Sequence, residues 1–309
     1  MIAIHTPFGA EALQKRLVGS LGLAPGDVVV LEADGTGAPR ASVLVVSVVD
    51  RDRLAKVLNP RIEWVHVLGT GVDGFPFDLL GDRILTCSRG ANAGPIAEYV
   101  LAAMLSFEKR MPEIWMSGRA EFREHALGQL SGKTLGLIGL GAIGTATASR
   151  AIAFDMDVVA VRRTRAGSPI TDVTVVPALG GALSVSDHLV VAAPATSATE
   201  NLIDKSAFSQ MKRGVHLVNV SRGSLVDQDA LIAALEDGTV GMATLDVTDP
   251  EPLPEGHPLY SHPRVRVSPH VSWSAPDTLR RTIEMFEENF RRHVTHRPLN
   301  GVVDTAAGY

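Results

Sequence analysis

The feature that most constrains this chain is an alternation. Short apolar, β-branched runs recur along most of its length with helix-patterned stretches between many of them, which is how a parallel sheet with crossover helices reads. Runs at Ile2 to Ile4, Val28 to Leu31, Val43 to Val46, Trp64 to Val67 and Ile84 to Thr86 predict strands, with helices at Glu11 to Val18 and Asp52 to Leu58. Gly94 and Pro95 suit an N-cap and first helical position, and apolar residues follow at helical spacing from Ile96 to Arg110. A second series opens after the turn Ser131-Gly132-Lys133. Its strands are predicted at Thr134 to Ile138, Val158 to Val161, His188 to Ala193, Val215 to Val220, Gly241 to Leu245 and Val265 to Val267. Helices are predicted at Ala142 to Phe154, at Asp227 to Glu236 closed by Gly238, and at Thr278 to His293. The architecture is α/β, and 309 residues at roughly 150 per domain give two domains, joined by the long helix after Pro95.

The junction between the first strand and helix of the second series carries chemistry. Gly139-Leu140-Gly141-Ala142-Ile143-Gly144 follows a strand and opens a helix, the context a dinucleotide fingerprint requires. Gly139 permits the tight turn, Gly141 lets the backbone approach a pyrophosphate, and Gly144 allows close helix–strand packing. The helix N-terminus offers amide donors and positive potential to the phosphates. About 20 positions on, an acid would hold the ribose 2′-hydroxyl of NAD. None is there: Val161 leads into Arg162, Arg163, Thr164 and Arg165, whose guanidinium forks suit a 2′-phosphate. NADP is therefore expected as cofactor, with NAD possible.

Composition narrows the partners. A net charge of −5 provides no basic field for nucleic acid or an anionic membrane surface. The longest apolar runs, Val43 to Val49 and Leu189 to Ala195, fall far short of the ~20 residues that span a bilayer, and Met1 to Pro7 shows no secretory signal. Cys87 is the single cysteine, which excludes an intrachain disulfide and cysteine-based metal sites and fits a reducing cytoplasm. No metal is expected.

Three polar residues stand where strands end, on the rim at which open α/β sheets bind ligands: Arg222, Glu251 and His270. Alone, each would be ordinary. Reducing a 2-oxo acid puts negative charge on the carbonyl oxygen, which must be stabilised and then protonated. An arginine can neutralise the substrate carboxylate and polarise the carbonyl, a histidine can donate the proton, and a glutamate beside it favours the imidazolium.

With these residues go Gly69-Thr70-Gly71-Val72-Asp73, Ala97-Glu98, Pro194-Ala195-Thr196 with Thr199, Asn219 to Gly223, Asp246 to Pro252 and Ser268-Pro269-His270. In this order they resemble the D-isomer-specific 2-hydroxyacid dehydrogenases over nearly the whole chain, on the glyoxylate/hydroxypyruvate reductase pattern. The resemblance implies two doubly wound parallel-sheet domains. A Rossmann dinucleotide-binding domain would span 98–274, and a flavodoxin-like substrate-binding domain would be built from 1–97 and 275–309. It also implies a homodimer. Gly69, Thr70 and Gly71 would hold the substrate carboxylate. Asp246 would accept from the nicotinamide carboxamide, although an Asp at a strand end can equally cap the turn that follows, and Ala193, Pro194, Thr199, Val220 and His270 would complete the cofactor set. Trp273 stands where the family has a small, glycine-containing segment, and reads either as a wall of the substrate pocket or as a core or interface residue.

The expected activity is hydride transfer from NADPH to a small 2-oxo acid. Two alternatives stay open: an NAD-dependent dehydrogenase of another D-2-hydroxy acid, and a dinucleotide-sensing corepressor that uses the same fold to bind proteins.

Overall fold

Valine, isoleucine and leucine runs become strands here because their side chains pack on both faces of a pleated sheet that helices cover. A computed structural model describes residues 1–7, 9–32, 40–47, 50–122, 124–163 and 167–309. The chain divides into two units, Met1–Asn92 with Ala275–Tyr309, and Ala93–Ser274.

The first unit contains β1 (Ile2–His5), α1 (Ala10–Leu21), β2 (Val28–Val30), β3 (Val43–Val46), α2 (Arg51–Val57), β4 (Trp64–Val67) and β5 (Ile84–Cys87). Its strands are all parallel in the order β2-β1-β3-β4-β5. This is the flavodoxin-like order, with the winding direction reversing between β1 and β3. Every residue of β3 and β4 is buried. The last helix, Thr278–Val294, belongs to this unit because Phe286 is buried and stacks on Trp64 at 5.3 Å between ring centroids. Such a pair contributes ~0.5–1.5 kcal/mol beyond the area it buries. Ser88 Oγ also donates to the Thr282 carbonyl at 3.1 Å, so both ends of the chain build one unit.

The second unit contains α3 (Ala93–Lys109), β6 (Thr134–Ile138), α4 (Ala142–Ile152), β7 (Asp157–Val161), β8 (Val173–Val176), α5 (Leu179–Leu183), β9 (His188–Val191), α6 (Lys205–Ser209), β10 (Val215–Asn219), α7 (Gln228–Asp237), β11 (Val240–Leu245), α8 (Pro258–Ser261) and β12 (Val265–Val267). Its sheet is parallel throughout in the order β12-β11-β10-β9-β6-β7-β8. Counted from β6, this is the Rossmann order with one strand added. Side chains alternate between two cores. Leu189, Val191 and Leu217 pack with Leu183, Phe208 and Leu231 of α5 to α7. Val190 and Val218 join Leu135, Leu137, Ile96, Val100, Met104 and Ala148 on the face of α3 and α4.

The 97/98 boundary expected from the sequence falls inside α3. Ala93, Pro95, Ile96 and Ala97 are already buried within that helix, which lies wholly in the second unit. Pro95 sits in its first turn, where the missing N–H is one of the helix's unpaired donors anyway. Four short elements, β8, α5, α6 and α8, were not expected from the sequence. Among the described residues no helix is long and apolar enough to cross a membrane.

Candidate active site

The loop between β6 and α4 fits a dinucleotide. Gly139 has φ +102, and a Cβ there would lie 2.7 Å from the Ala192 carbonyl oxygen, so only glycine fits the turn. A Cβ on Gly144 would lie 2.2 Å from the Gly139 carbonyl oxygen, which is the close helix–strand packing expected of that position. Gly141 differs: a Cβ there meets no protein atom within 4 Å. The protein's own packing does not require that glycine, whereas an approaching phosphate would. No side chain caps α4, and its first turn, beginning at Ala142 and Ile143, carries no acid. The amide donors and positive potential of the helix end are left for an anion.

Arg222, Glu251 and His270 follow β10, β11 and β12, three neighbouring strands of one parallel sheet, so all three lie at the same rim. Glu251 and His270 meet directly, with Oε1 2.7 Å from Nδ1. Both side chains are part exposed, at 41% and 37%, which leaves the pair open to a small ligand. Glu251 Oε2 also accepts from the Thr248 amide at 3.3 Å. Asn219 shapes the Arg222 turn: its Nδ2 donates to the Arg222 carbonyl at 2.8 Å and its Oδ1 accepts from the Ser221 amide at 3.1 Å. A Cβ on Gly223 would lie 2.0 Å from the Thr248 carbonyl carbon, so the Arg222 turn abuts the backbone of the Glu251 loop. Gln228 clamps that loop from α7, donating to the Asp249 carbonyl and accepting from the Asp249 amide.

Asp246 is 1% exposed and takes three donors: Ser268 Oγ at 2.6 Å and the Val271 amide at 2.9 Å on Oδ1, and the Ser272 amide at 2.9 Å on Oδ2. A carboxylate offers about four acceptor positions, so Asp246 is first the anchor of the His270 loop and retains about one position for a ligand. Of the two roles open to it from the sequence, these bonds are those of a turn anchor. His270 itself has φ +53, a conformation rare outside glycine, and its carbonyl accepts from Trp273 Nε1 at 2.7 Å. Trp273 is 41% exposed and therefore not a core residue.

Residues 101–272 match the protein family described as "D-isomer specific 2-hydroxyacid dehydrogenase, NAD binding domain". The chain is 30% identical over 286 residues to the glyoxylate reductase of Thermofilum pendens, covering 85% of this chain and 84% of that protein. It is 33% identical over 240 residues to glyoxylate/hydroxypyruvate reductase B of Pectobacterium atrosepticum, 74% of each chain. A D-isomer specific 2-hydroxyacid dehydrogenase from Xanthobacter autotrophicus Py2, solved in complex with NADPH and MES, superposes with a TM-score of 0.87 at 28% identity, covering 100% of this chain and 99% of that one. The chain belongs to the D-isomer specific 2-hydroxyacid dehydrogenase family.

As a member of that family it is an enzyme that uses a nicotinamide dinucleotide. Around the glycine loop, Arg162 follows β7 and its Nη1 donates to the Gly167 carbonyl at 2.9 Å, while Arg163 beside it is exposed. Thr164, the third residue expected there, lies outside the described residues. Ala193 and Val220 are buried at the ends of β9 and β10, and Ser221 Oγ donates to the Ala193 carbonyl. Thr199 uses its hydroxyl within its own loop, donating to the exposed Pro194's carbonyl at 2.7 Å and accepting from the Thr196 amide at 2.8 Å. It shapes the loop that was expected to bind the cofactor.

In the first unit, Gly69, Thr70 and Gly71 follow β4. The Gly69 carbonyl accepts from the Ser88 amide at 2.9 Å, and the Thr70 carbonyl faces Cys87 Sγ at 3.6 Å. In a trans peptide the C=O and the following N–H point in opposite directions, so the amides of Thr70 and Gly71 turn away from β5.

Sequence reasoning missed Tyr99 and Gln228 and assigned no role to Asn219 or Ser268. Tyr99 Oη lies 2.6 Å from Ser268 Oγ. No local pattern in an apolar helix would have marked it.

Proposed function

We propose that the protein reduces small 2-oxo acids of the glyoxylate and hydroxypyruvate type to D-2-hydroxy acids, with NADPH preferred over NADH. The observation that carries this reading is the 2.7 Å Glu251–His270 contact on the strand ends next to Arg222, in a sheet whose glycine loop suits a dinucleotide. The names of the two reductases it resembles support the substrate class. When bound, the reduced nicotinamide supplies hydride to the carbonyl carbon. The chain's own residues manage the charge. Arg222 neutralises the substrate carboxylate and draws electron density onto the carbonyl oxygen with a planar, permanently charged fork. Glu251 engages His270 Nδ1, so Nε2 is the ring nitrogen left to pass a proton to that oxygen, and Glu251 stabilises the charged ring before transfer.

NADPH preference rests on Arg162 and Arg163 following β7 where an acid would suit NAD, and on the NADPH held by the Xanthobacter relative. Among the described residues, Arg162 Nη1 donates to the Gly167 carbonyl, one of five N–H donors a guanidinium carries. The test is kcat/KM for a panel of small 2-oxo acids with each cofactor. Highest efficiency with glyoxylate or hydroxypyruvate and NADPH is expected. A clear NADH preference overturns the Arg162 reading, and negligible turnover of every acid overturns the enzymatic one in favour of a sensing role.

The protein is further proposed to act as a homodimer in a reducing cytoplasm. Between α3 and β6, Trp115 and Phe122 are 67% and 81% exposed, with Met116 and Leu127 also exposed. Large exposed apolar side chains of this kind are what a subunit contact covers. Trp115→Glu with Phe122→Glu should give a monomer by light scattering, and an unchanged mass overturns this contact.

A further inference from the structure

We propose that Tyr99 of α3 is a positioning residue for His270, acting through Ser268 and Asp246. The inference rests on the reading of His270 as proton donor, and its path is fixed by hydrogen-bond direction. Ser268 has one hydroxyl proton, which goes to Asp246 Oδ1 at 2.6 Å, so in the 2.6 Å contact with Tyr99 the serine oxygen accepts and the phenol donates. The oriented carboxylate of Asp246 then holds the amides of Val271 and Ser272, directly after His270. The Asp246 carbonyl takes the His270 amide itself at 3.0 Å. His270 is thus gripped on both sides by one residue. A φ of +53 at a histidine persists only where its surroundings over-determine it, and the Ser268–Asp246 grip does so here. Burial, with the Asp246 charge adding to it, pushes the Tyr99 phenol up against the opposing effect of its Ser268 bond, so the proton that starts the chain stays in place.

Tyr99→Phe removes one oxygen and keeps the ring. It should lower kcat for 2-oxo acid reduction ~3- to 10-fold, the range of one lost hydrogen bond, with KM and NADPH affinity within ~2-fold of wild type. Ser268→Ala should cost at least as much, Ser268→Thr should restore most of it, and Tyr99→Phe added to Ser268→Ala should cost nothing more because the two act in series. The His270 ring signals in ¹⁵N-histidine NMR, assigned with His270→Gln, should shift or broaden in Tyr99→Phe while those of His66 stay fixed. Wild-type kcat and ring signals in Tyr99→Phe overturn the proposal, as do additive losses in the double variant. If the wild type reduces no 2-oxo acid, the functional reading fails and the NMR comparison still decides the Tyr99 linkage.

Discussion

Acid should destabilise the first unit in large part through His66. It is fully buried on β4, and its bonds suit the neutral ring. Ser88 Oγ gives its proton to the Thr282 carbonyl, so it must accept from His66 Nε2 at 3.2 Å, and His66 Nδ1 must in turn accept from Thr86 Oγ1 at 2.7 Å. Thr86 Oγ1 already accepts from Trp64 Nε1 at 2.8 Å. A proton on Nδ1 would have to take the second lone pair of Thr86 Oγ1 and turn that hydroxyl's own proton away from the ring, and burial lowers the ring's pKa from 6.5 to about 3. Because the folded value lies below the unfolded one, the unfolded chain takes up the proton first. Stability is complete above about pH 6.5 and is lost as pH falls toward 3. Between pH 7 and pH 4 the loss is about 3 kcal/mol, at roughly 1.4 kcal/mol per unit. Urea unfolding followed by tryptophan fluorescence reads this locally, since Trp64 is fully buried in the same unit while Trp115 and Trp273 are exposed. Carboxylates also titrate in this range, so the decisive quantity is the difference from His66→Gln. Wild type should lose about 3 kcal/mol more than the variant over the interval. Equal losses, within about 1 kcal/mol, would refute the neutral-histidine argument.

Replacing His270 by Ala should cut turnover ~10²- to 10⁴-fold while a fluorescence titration shows NADPH affinity nearly intact; unchanged turnover removes it from the mechanism. Gly141→Val should fold with a melting temperature close to wild type, because the added Cβ meets no protein atom, yet lose most dinucleotide binding in calorimetry; retained affinity would refute the phosphate-loop assignment. Gly223→Ala places a Cβ 2.0 Å from the Thr248 carbonyl carbon, so the Glu251 loop must move: kcat should fall at least ~10-fold with dinucleotide affinity kept, and an unaffected kcat means that contact does not set the site.

The strands were legible because a parallel sheet covered on both faces leaves continuous apolar runs, and β3, β4, β6 and β12 coincide with theirs. β8 was missed although Val173 to Val176 is β-branched throughout; it sits at the sheet edge. For α6 a signal existed in Asp204, whose side chain accepts from the Ala207 amide as an N-cap, but five residues are too few for periodicity. At the candidate site, Arg222, Glu251 and His270 were legible because strand ends and polar residue types are local properties. The residues that support them were not. Tyr99 and Ser268 are 169 positions apart, and nothing near either announces the other.

The strand order explains why one sheet can divide its work. From β6 the chain winds outward through β7 to β8, returns to β9 on the other side of β6, and winds outward again to β12. The loops after β6 and β9 therefore leave the sheet in opposite senses, and a crevice opens between them at the rim. On the β6 side the contacts offered to a ligand are backbone: an open Gly141 and an uncapped helix end whose first turn carries no acid. On the β10 to β12 side they are side chains held by other side chains, with Asn219 under Arg222, Gln228 and Gly223 against the Glu251 loop, and Asp246 under His270. Backbone amides suit phosphates, whose recognition needs no proton to move. The reducing end needs a group that gains and loses one, and such a group keeps its direction only when its support is rigid. That division requires the glycine turn and the Asp246 anchor to fail independently: loss of Gly141 should abolish binding without disturbing His270, and loss of the anchor should slow proton donation while the phosphate loop keeps its affinity.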